Sequence, residues 1–367
     1  MNIISLRLQH FRNLEEISLD LNYKRVGFLG ENAQGKTNIL EGLYVLSRGE
    51  SWRATFESDL ISHDSPFARV DGTLITDTDP TDLAILIERN VERSGVKKTY
   101  LVNDIKRKKE TFTRHFPVIL FSPEDISLVA GTPAARRKAL DLCLCESFPH
   151  YSHLISQYGK IVVSRNRLLE RIREGQAHVN QLEYWTQSMI QLGSQIYHYR
   201  YLFFNFLINN QQDYLISYAP KIWCVDLPSS DLFIQNIAML YAERVQANIE
   251  KEIMSATSQY GPHKDDYTFF LDKKDLSLFG SRGEQRAALF FYKKMQLLYI
   301  ESARLMKPVL LLDDIFSEFD KTHRHELALM TQGYQTFVTG TEEEFFMNEG
   351  FGFDRVFEIK KGEAFVK

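Results

Sequence analysis

A handful of side chains at widely separated positions have the types and spacing that phosphate chemistry needs. Gly30 is followed by Glu31, Asn32, Ala33 and Gln34, and then by Gly35-Lys36-Thr37. Glycines at these two positions let backbone N–H groups converge on an anion, and a helix opening at Lys36 adds its dipole. Lys36 would then reach the β- and γ-phosphates of a nucleotide, and the Thr37 hydroxyl would take Mg²⁺. Far along the chain, Pro308-Val309-Leu310-Leu311-Leu312 runs into the carboxylate pair Asp313-Asp314. Two charges at the end of so apolar a run cost free energy unless something binds them. The first acid can complete a Mg²⁺ site with Thr37, and the second can polarise an attacking water.

Such groups work only if regular elements hold them. Val26 to Leu29 reads as an apolar strand directly before the loop, and Ile39 to Leu46 as a helix directly after it. Ser281-Arg282-Gly283-Glu284-Gln285 opens a second helical pattern through Ala287 to Arg304. Ser281 with Glu284 three residues on is a capping box, and this alone accounts structurally for both residues. Ile3 to Leu8, Leu19 to Leu21, Phe67 to Ile75, Leu83 to Arg89 and Lys98 to Val102 read as strands of a β-rich flank, with a turn at Ser94-Gly95. Pro117 to Phe121 reads as a buried strand, and Ser122 to Asp125 as a helix start.

From Pro133 to about Tyr218 the pattern is almost wholly helical. Leu154, Tyr158, Ile161, Arg165, Leu168 and Ile172 alternate steps of four and three, as do Leu182, Trp185, Met189, Leu192, Ile196, Tyr199 and Phe203. That is a coiled-coil seam, and the break at Gly175 and His178 to Asn180 predicts an antiparallel helical hairpin, a stub of an arm about 30 Å long. Helical pattern resumes over Leu232 to Glu252 after Pro220 and Pro228. Gly261-Pro262-His263-Lys264-Asp265-Asp266 reads as a turn, and Tyr267 to Leu271 as a strand.

The 367 residues suffice for one large or two ordinary domains, and 44% hydrophobic with 25% charged residues is the balance of a soluble globular protein. A net charge of −4 confines any nucleic-acid surface to local patches. The densest is Lys97, Lys98, Lys106, Arg107, Lys108 and Lys109, which reads either as a solvated rim or as a phosphate-backbone contact. Three cysteines, Cys143, Cys145 and Cys224, lack zinc spacing and read as buried thiols of a reducing compartment. With no long apolar run and an early charge at Arg7, the expected location is cytoplasmic.

Taken together, a phosphate loop, a Ser-x-Gly-x-Gln helix start, an Asp-Asp strand and Ser317-Glu318-Phe319-Asp320 beyond it resemble the ABC-type ATPase head of SMC-like proteins. The wording is closer still to the RecF family of recombination-repair proteins: His10-Phe11-Arg12-Asn13-Leu14, GENAQGKTNILEGLYVLS, FSPEDISLVAGTPAARRKALD, SRNRLL, GPHKDD, SRGEQR and LLLDDIFSEFD fall in that family's order across nearly the whole chain. The resemblance implies an α/β fold, a P-loop NTPase head of ABC type with a β-rich flank and an inserted helical arm. The head would comprise residues 1–125 and 261–367, and the arm 126–260. It implies ATP and Mg²⁺ as cofactors, an ATP-dependent homodimer, DNA as partner at gaps or junctions, and action with the RecR and RecO mediators to help load the RecA recombinase.

By the same resemblance Gly30, Glu31, Asn32, Ala33, Gln34, Gly35, Lys36 and Thr37 surround the phosphates, with Arg12 and Asn13 close by. Asp313 completes the metal site, and Asp314 and Lys36 are catalytic. Ser281, Gly283 and Gln285 cap the nucleotide held by a partner chain. Ala33 stands where relatives usually have Gly, which requires either negative φ or accepted strain. Asp314 replaces the usual Glu, consistent with slow turnover or with a nucleotide switch that scarcely hydrolyses. Thr336 to Thr341 offers hydroxyls in place of a switch histidine, and Glu50 stands where relatives tend to have a basic residue.

Overall fold

The computed structural model describes residues 1–76, 79–90, 95–210, 214–221, 233–317, 321–343, 346 and 351–367. The expectations for Ser94, Cys224, Pro228, Leu232 and Glu318 to Asp320 lie outside these residues. The chain forms two compact units, Met1–Asp125 with Ile300–Lys367, and Ile126–Tyr299.

In the first unit, β1 (Asn2–Phe11), β2 (Leu14–Asp20), β4 (Phe67–Ile75), β5 (Pro80–Arg89), β6 (Val96–Val102) and β7 (Ile105–Arg107) build an antiparallel sheet in the order β2-β1-β4-β5-β6-β7. A second sheet takes β3 (Arg25–Leu29), β8 (Val118–Phe121), β12 (Val309–Leu312), β13 (Thr336–Gly340), β14 (Arg355–Lys360) and β15 (Glu363–Val366) in the order β15-β14-β3-β13-β12-β8. All of its neighbours run parallel except the β14–β15 hairpin. Val26, Phe28 and Leu29 of β3, and all four residues of β12, are buried, as parallel strands covered on both faces require. Helix α1 (Lys36–Arg48) packs on β1 and β4 of one sheet and on β13 of the other. Ile39, Leu40, Leu43, Tyr44, Val45 and Leu46 are buried around its whole circumference, the pattern of a helix enclosed by core. Helices α2 (Lys109–Phe112) and α11 (Lys321–Met330) complete this unit.

The second unit is helical with one small sheet. It contains α3 (Ser127–Ala130), α4 (Pro133–Ser147), α5 (Tyr151–Arg173), α6 (Leu182–Asn210), β9 (Tyr214–Ala219), α7 (Phe233–Ala247), α8 (Ile249–Ser255), β10 (Asp266–Leu271), β11 (Lys274–Asp275), α9 (Leu276–Phe279) and most of α10 (Arg282–Arg304). Helices α5 and α6 pack along one another, and Gly175 at φ +74° together with a 3₁₀ turn over Val179–Gln181 separates them. Leu154, Tyr158 and Leu168 of α5, and Leu182, Met189, Ile196 and Phe203 of α6, are buried.

Two differences from the sequence reading share one physical reason. The helical pattern expected to run to Tyr218 ends at Asn210, and β9 pairs antiparallel with β10 instead. Residues 261–299, expected with the head, group with the helical unit because this pairing draws them there. Asp266 of β10 takes a bidentate bond from Arg136 of α4, with both contacts at 2.7 Å. The Gly261 to Asp266 segment is thus more than a turn: buried Asp265 accepts from Tyr218 at 2.7 Å, Tyr197 at 3.0 Å and Arg200 at 3.1 Å.

Candidate nucleotide site

The loop between β3 and α1 is shaped by close backbone approaches. A Cβ on Gly30 would lie 2.4 Å from the Ile359 carbonyl oxygen, so only glycine fits there. Gly35 caps α1 at φ +112°, and Ala33 holds φ +64°. Ala33 therefore follows the strained branch, at a cost of about 1 kcal/mol for a residue with a Cβ.

Lys36 is buried, and its Nζ donates to the carbonyls of Gly30 (2.6 Å) and Glu31 (2.7 Å), folding the ammonium over its own loop. Burial lowers its pKa, while the Asp314 and Asp313 carboxylates work against that. The register that sets Leu312 of β12 against Val338 of β13 brings the next residues, Asp313 and Thr339, side by side. Asp313 Oδ1 accepts from the hydroxyls of Thr37 and Thr339, each at 2.8 Å. Burial pushes this carboxyl above the usual range, and the two hydroxyls only partly offset it. A buried carboxylate and a hydroxyl held together are hard oxygen donors, so Thr37 and Asp313 fit Mg²⁺. Asp314 sits at φ +48°, with its N–H on Thr339 Oγ1 at 2.9 Å. Asn32, Ala33, Lys36, Thr37, Arg53 and Asp314 are among the walls of a cavity of about 170 Å³.

Around this cavity stands a charge cluster that sequence reasoning missed. Glu41, fully buried on α1, accepts a bidentate bond from Arg12 (2.9 and 2.7 Å), bonds from Arg53 (3.1 and 2.8 Å) and one from Ser51 (2.5 Å). Burial alone would raise the Glu41 pKa, but the two guanidiniums and the hydroxyl hold it below the usual range. The available signal was a lone acid inside an otherwise apolar helix. Thr339 was likewise missed as a ligand of Asp313, its segment having been read only for the histidine it lacks.

Asn13 reaches the loop from the β1–β2 turn, its Nδ2 donating to the Ala33 carbonyl at 3.2 Å. Gln34 faces the β14–β15 turn, where its Oε1 accepts from Lys361 N (2.6 Å) and its carbonyl from Gly362 N (3.1 Å). Glu50 turns away to pair with Lys109 at 2.7 Å.

The structure thus gathers Arg12, Asn13, Gly30 to Thr37, Asp313 and Asp314 in the first unit, whereas Ser281, Gly283 and Gln285 belong to the second. Ser281 N donates to Glu284 Oε2 at 2.7 Å, and Glu284 N to Ser281 Oγ at 3.3 Å, a reciprocal cap on α10. Ser281 and Gly283 are exposed, and a Cβ on Gly283 would meet nothing within 4 Å. Gln285 spends its amide on the Leu276 carbonyl at 2.8 Å, fixing α9 to the helix start. The basic cluster is also divided: Lys98 is bound by Glu57 and the Gly49 carbonyl and Lys109 by Glu50, while Lys106, Arg107 and Lys108 are exposed.

No described helix is long and apolar enough to cross a membrane. The family model described as "RecF/RecN/SMC N terminal domain" matches residues 2–365. A curated relative from Bacillus cytotoxicus, "DNA replication and repair protein RecF", is 32% identical, with 99% of this chain and 98% of that protein covered. Its namesake from Bacillus mycoides is 33% identical over 94% of this chain and 93% of its own. The solved structure titled "recombination mediator protein RecF-ATP in RecFOR pathway" superposes with a TM-score of 0.85 at 27% identity, covering all of this chain and 97% of that one. An SMC head bound to the C-terminal winged-helix domain of ScpA reaches 0.50 at 13% identity, a likeness of fold. With its α/β head and a full-length match to these relatives, the chain belongs to the RecF/RecN/SMC N-terminal domain family and, within it, to the RecF group of SMC-like ABC-type ATPases.

Proposed function

We propose that this chain is an ATP-gated DNA-binding protein of replication and recombinational repair, which pairs with a second copy on ATP and releases by slow hydrolysis. The observation that carries the reading is the joining of Lys36, Thr37, Asp313 and Thr339, from elements hundreds of residues apart, around one small cavity. Lys36 exchanges its two loop carbonyls for phosphate oxygens, and the α1 N-terminus with Gly35 faces the same charge. Mg²⁺, held by Thr37 and Asp313, would neutralise charge on the phosphates. Asp314 orients the water, its backbone fixed by Thr339. The exposed Ser281–Gly283 helix start offers donors to the nucleotide of the partner copy.

Names of relatives support DNA repair as the setting, and the RecFOR pathway named for one of them favours RecR and RecO as partners; RecA rests on the family resemblance alone, and Lys106, Arg107 and Lys108 would supply a phosphate-backbone contact. The short Asp314 side chain favours a second reading, a switch with negligible turnover. ATP hydrolysis measured with and without DNA separates the two: a rate no higher than that of Asp314→Asn selects the switch. Lys36→Ala is expected to abolish ATP binding in equilibrium titration, and retained binding would remove the site assignment altogether.

A further inference from the structure

Besides Asn13, the phosphate loop is gripped by a hairpin turn more than 300 residues away in sequence. Lys361 N donates to Gln34 Oε1 at 2.6 Å and Gly362 N to the Gln34 carbonyl at 3.1 Å. Both donors depend on left-handed backbone, with φ at +49° for Lys361 and +83° for Gly362. The hairpin also presses on the loop's first residue, since the Ile359 carbonyl leaves room only for Gly30. A Cβ on Gly362 would stand 3.3 Å from the Asn13 carbonyl, so the β1–β2 turn, the loop and the β14–β15 turn are stacked in contact. Between these grips lies Ala33, whose positive φ is unfavourable for a side chain and persists only where its surroundings impose it.

We infer that the β14–β15 turn, through Lys361 and Gly362, is the positioning device that holds the phosphate loop open for a triphosphate before one arrives. The inference rests on the loop binding ATP, as proposed above. Preorganising the loop spares the ligand the cost of ordering it, so loosening the turn weakens phosphate affinity without removing any phosphate contact. The turn is made of main-chain donors, which explains why sequence reading assigned it nothing.

The test uses the full-length protein, with dissociation constants for Mg·ATP and for inorganic triphosphate, and the melting temperature without ligand. Gln34→Met keeps length and removes the side-chain acceptor of Lys361 N while leaving the carbonyl that Gly362 N reaches; Gly362→Val puts a branched side chain on left-handed backbone against Asn13. Gln34→Met is expected to weaken both ligands about 5- to 10-fold, the worth of one hydrogen bond, with melting nearly unchanged; Gly362→Val is expected to lower the melting temperature through left-handed strain and to weaken both ligands by more than that loss accounts for. Because both act on one grip, the double variant should lose less than the product of the two. Wild-type affinity in Gln34→Met overturns the inference, as does a loss of affinity that merely follows a matching loss of melting temperature. If the wild-type protein itself binds neither ligand, the nucleotide reading fails instead.

Discussion

At the scale of single residues, burial decides which charges have consequences. Glu41 is a fully buried carboxylate whose pKa is depressed because the Arg12 and Arg53 guanidiniums and the Ser51 hydroxyl outweigh desolvation. A depressed carboxyl contributes stability that is complete above its unfolded pKa and lost as pH falls through the folded one. Glu41→Gln should therefore destabilise the protein at pH 7 by about 3 kcal/mol, at the low end for a broken buried pair because both guanidiniums keep some access to water. Denaturant unfolding at pH 7 and near pH 3.5 checks this, with the gap between variant and wild type narrowing at the lower pH. Ala33→Gly should act in the opposite direction, relieving left-handed strain of about 1 kcal/mol. A Tm that fails to rise would show that the loop gains nothing from glycine.

At the scale of elements, charge patterns split by where each strand end points. Lys98 and Lys109 look equivalent to Lys106, Arg107 and Lys108 in sequence, yet the first two brace Gly49 and Glu50 while the other three face solvent. Charge reversal at Lys106, Arg107 and Lys108 should reduce the slope of log affinity for DNA against log salt by about 3 and leave stability alone. Reversal at Lys98 should instead lower the melting temperature; an unchanged DNA salt slope in the triple variant would leave that rim to solubility. In the helical unit His263 is sealed between Tyr158 and the Ser258 carbonyl, and burial lowers its pKa to about 4. Its neutral form is favoured on folding, so it contributes stability above the usual imidazole pKa that is lost as pH falls towards 4. Wild type should lose about 2 kcal/mol between pH 7 and 4.5 that His263→Asn does not, as read by urea unfolding.

At the scale of the whole molecule, the residues of the candidate nucleotide site and the Ser281 helix start belong to different compact units. Ser281→Arg is expected to leave ATP binding intact and prevent ATP-dependent pairing, as seen by sedimentation at saturating Mg·ATP. A Ser281→Arg dimer would deny that helix start its role in the partner's site. The sequence by itself determined the phosphate loop, the Asp-Asp strand, the α1 helix and the helical hairpin, because each is written in local spacing: glycines at a turn, an unbroken apolar run, alternating steps of three and four. Tertiary structure alone decided that Thr339 meets Asp313, that Glu41 gathers Arg12 and Arg53, that β9 is a strand, and that Gln34 is held by the turn at Lys361 and Gly362. Those contacts join residues separated in sequence through strand register, paired side chains and main-chain donors, and none of these leaves a mark on the identity of nearby residues.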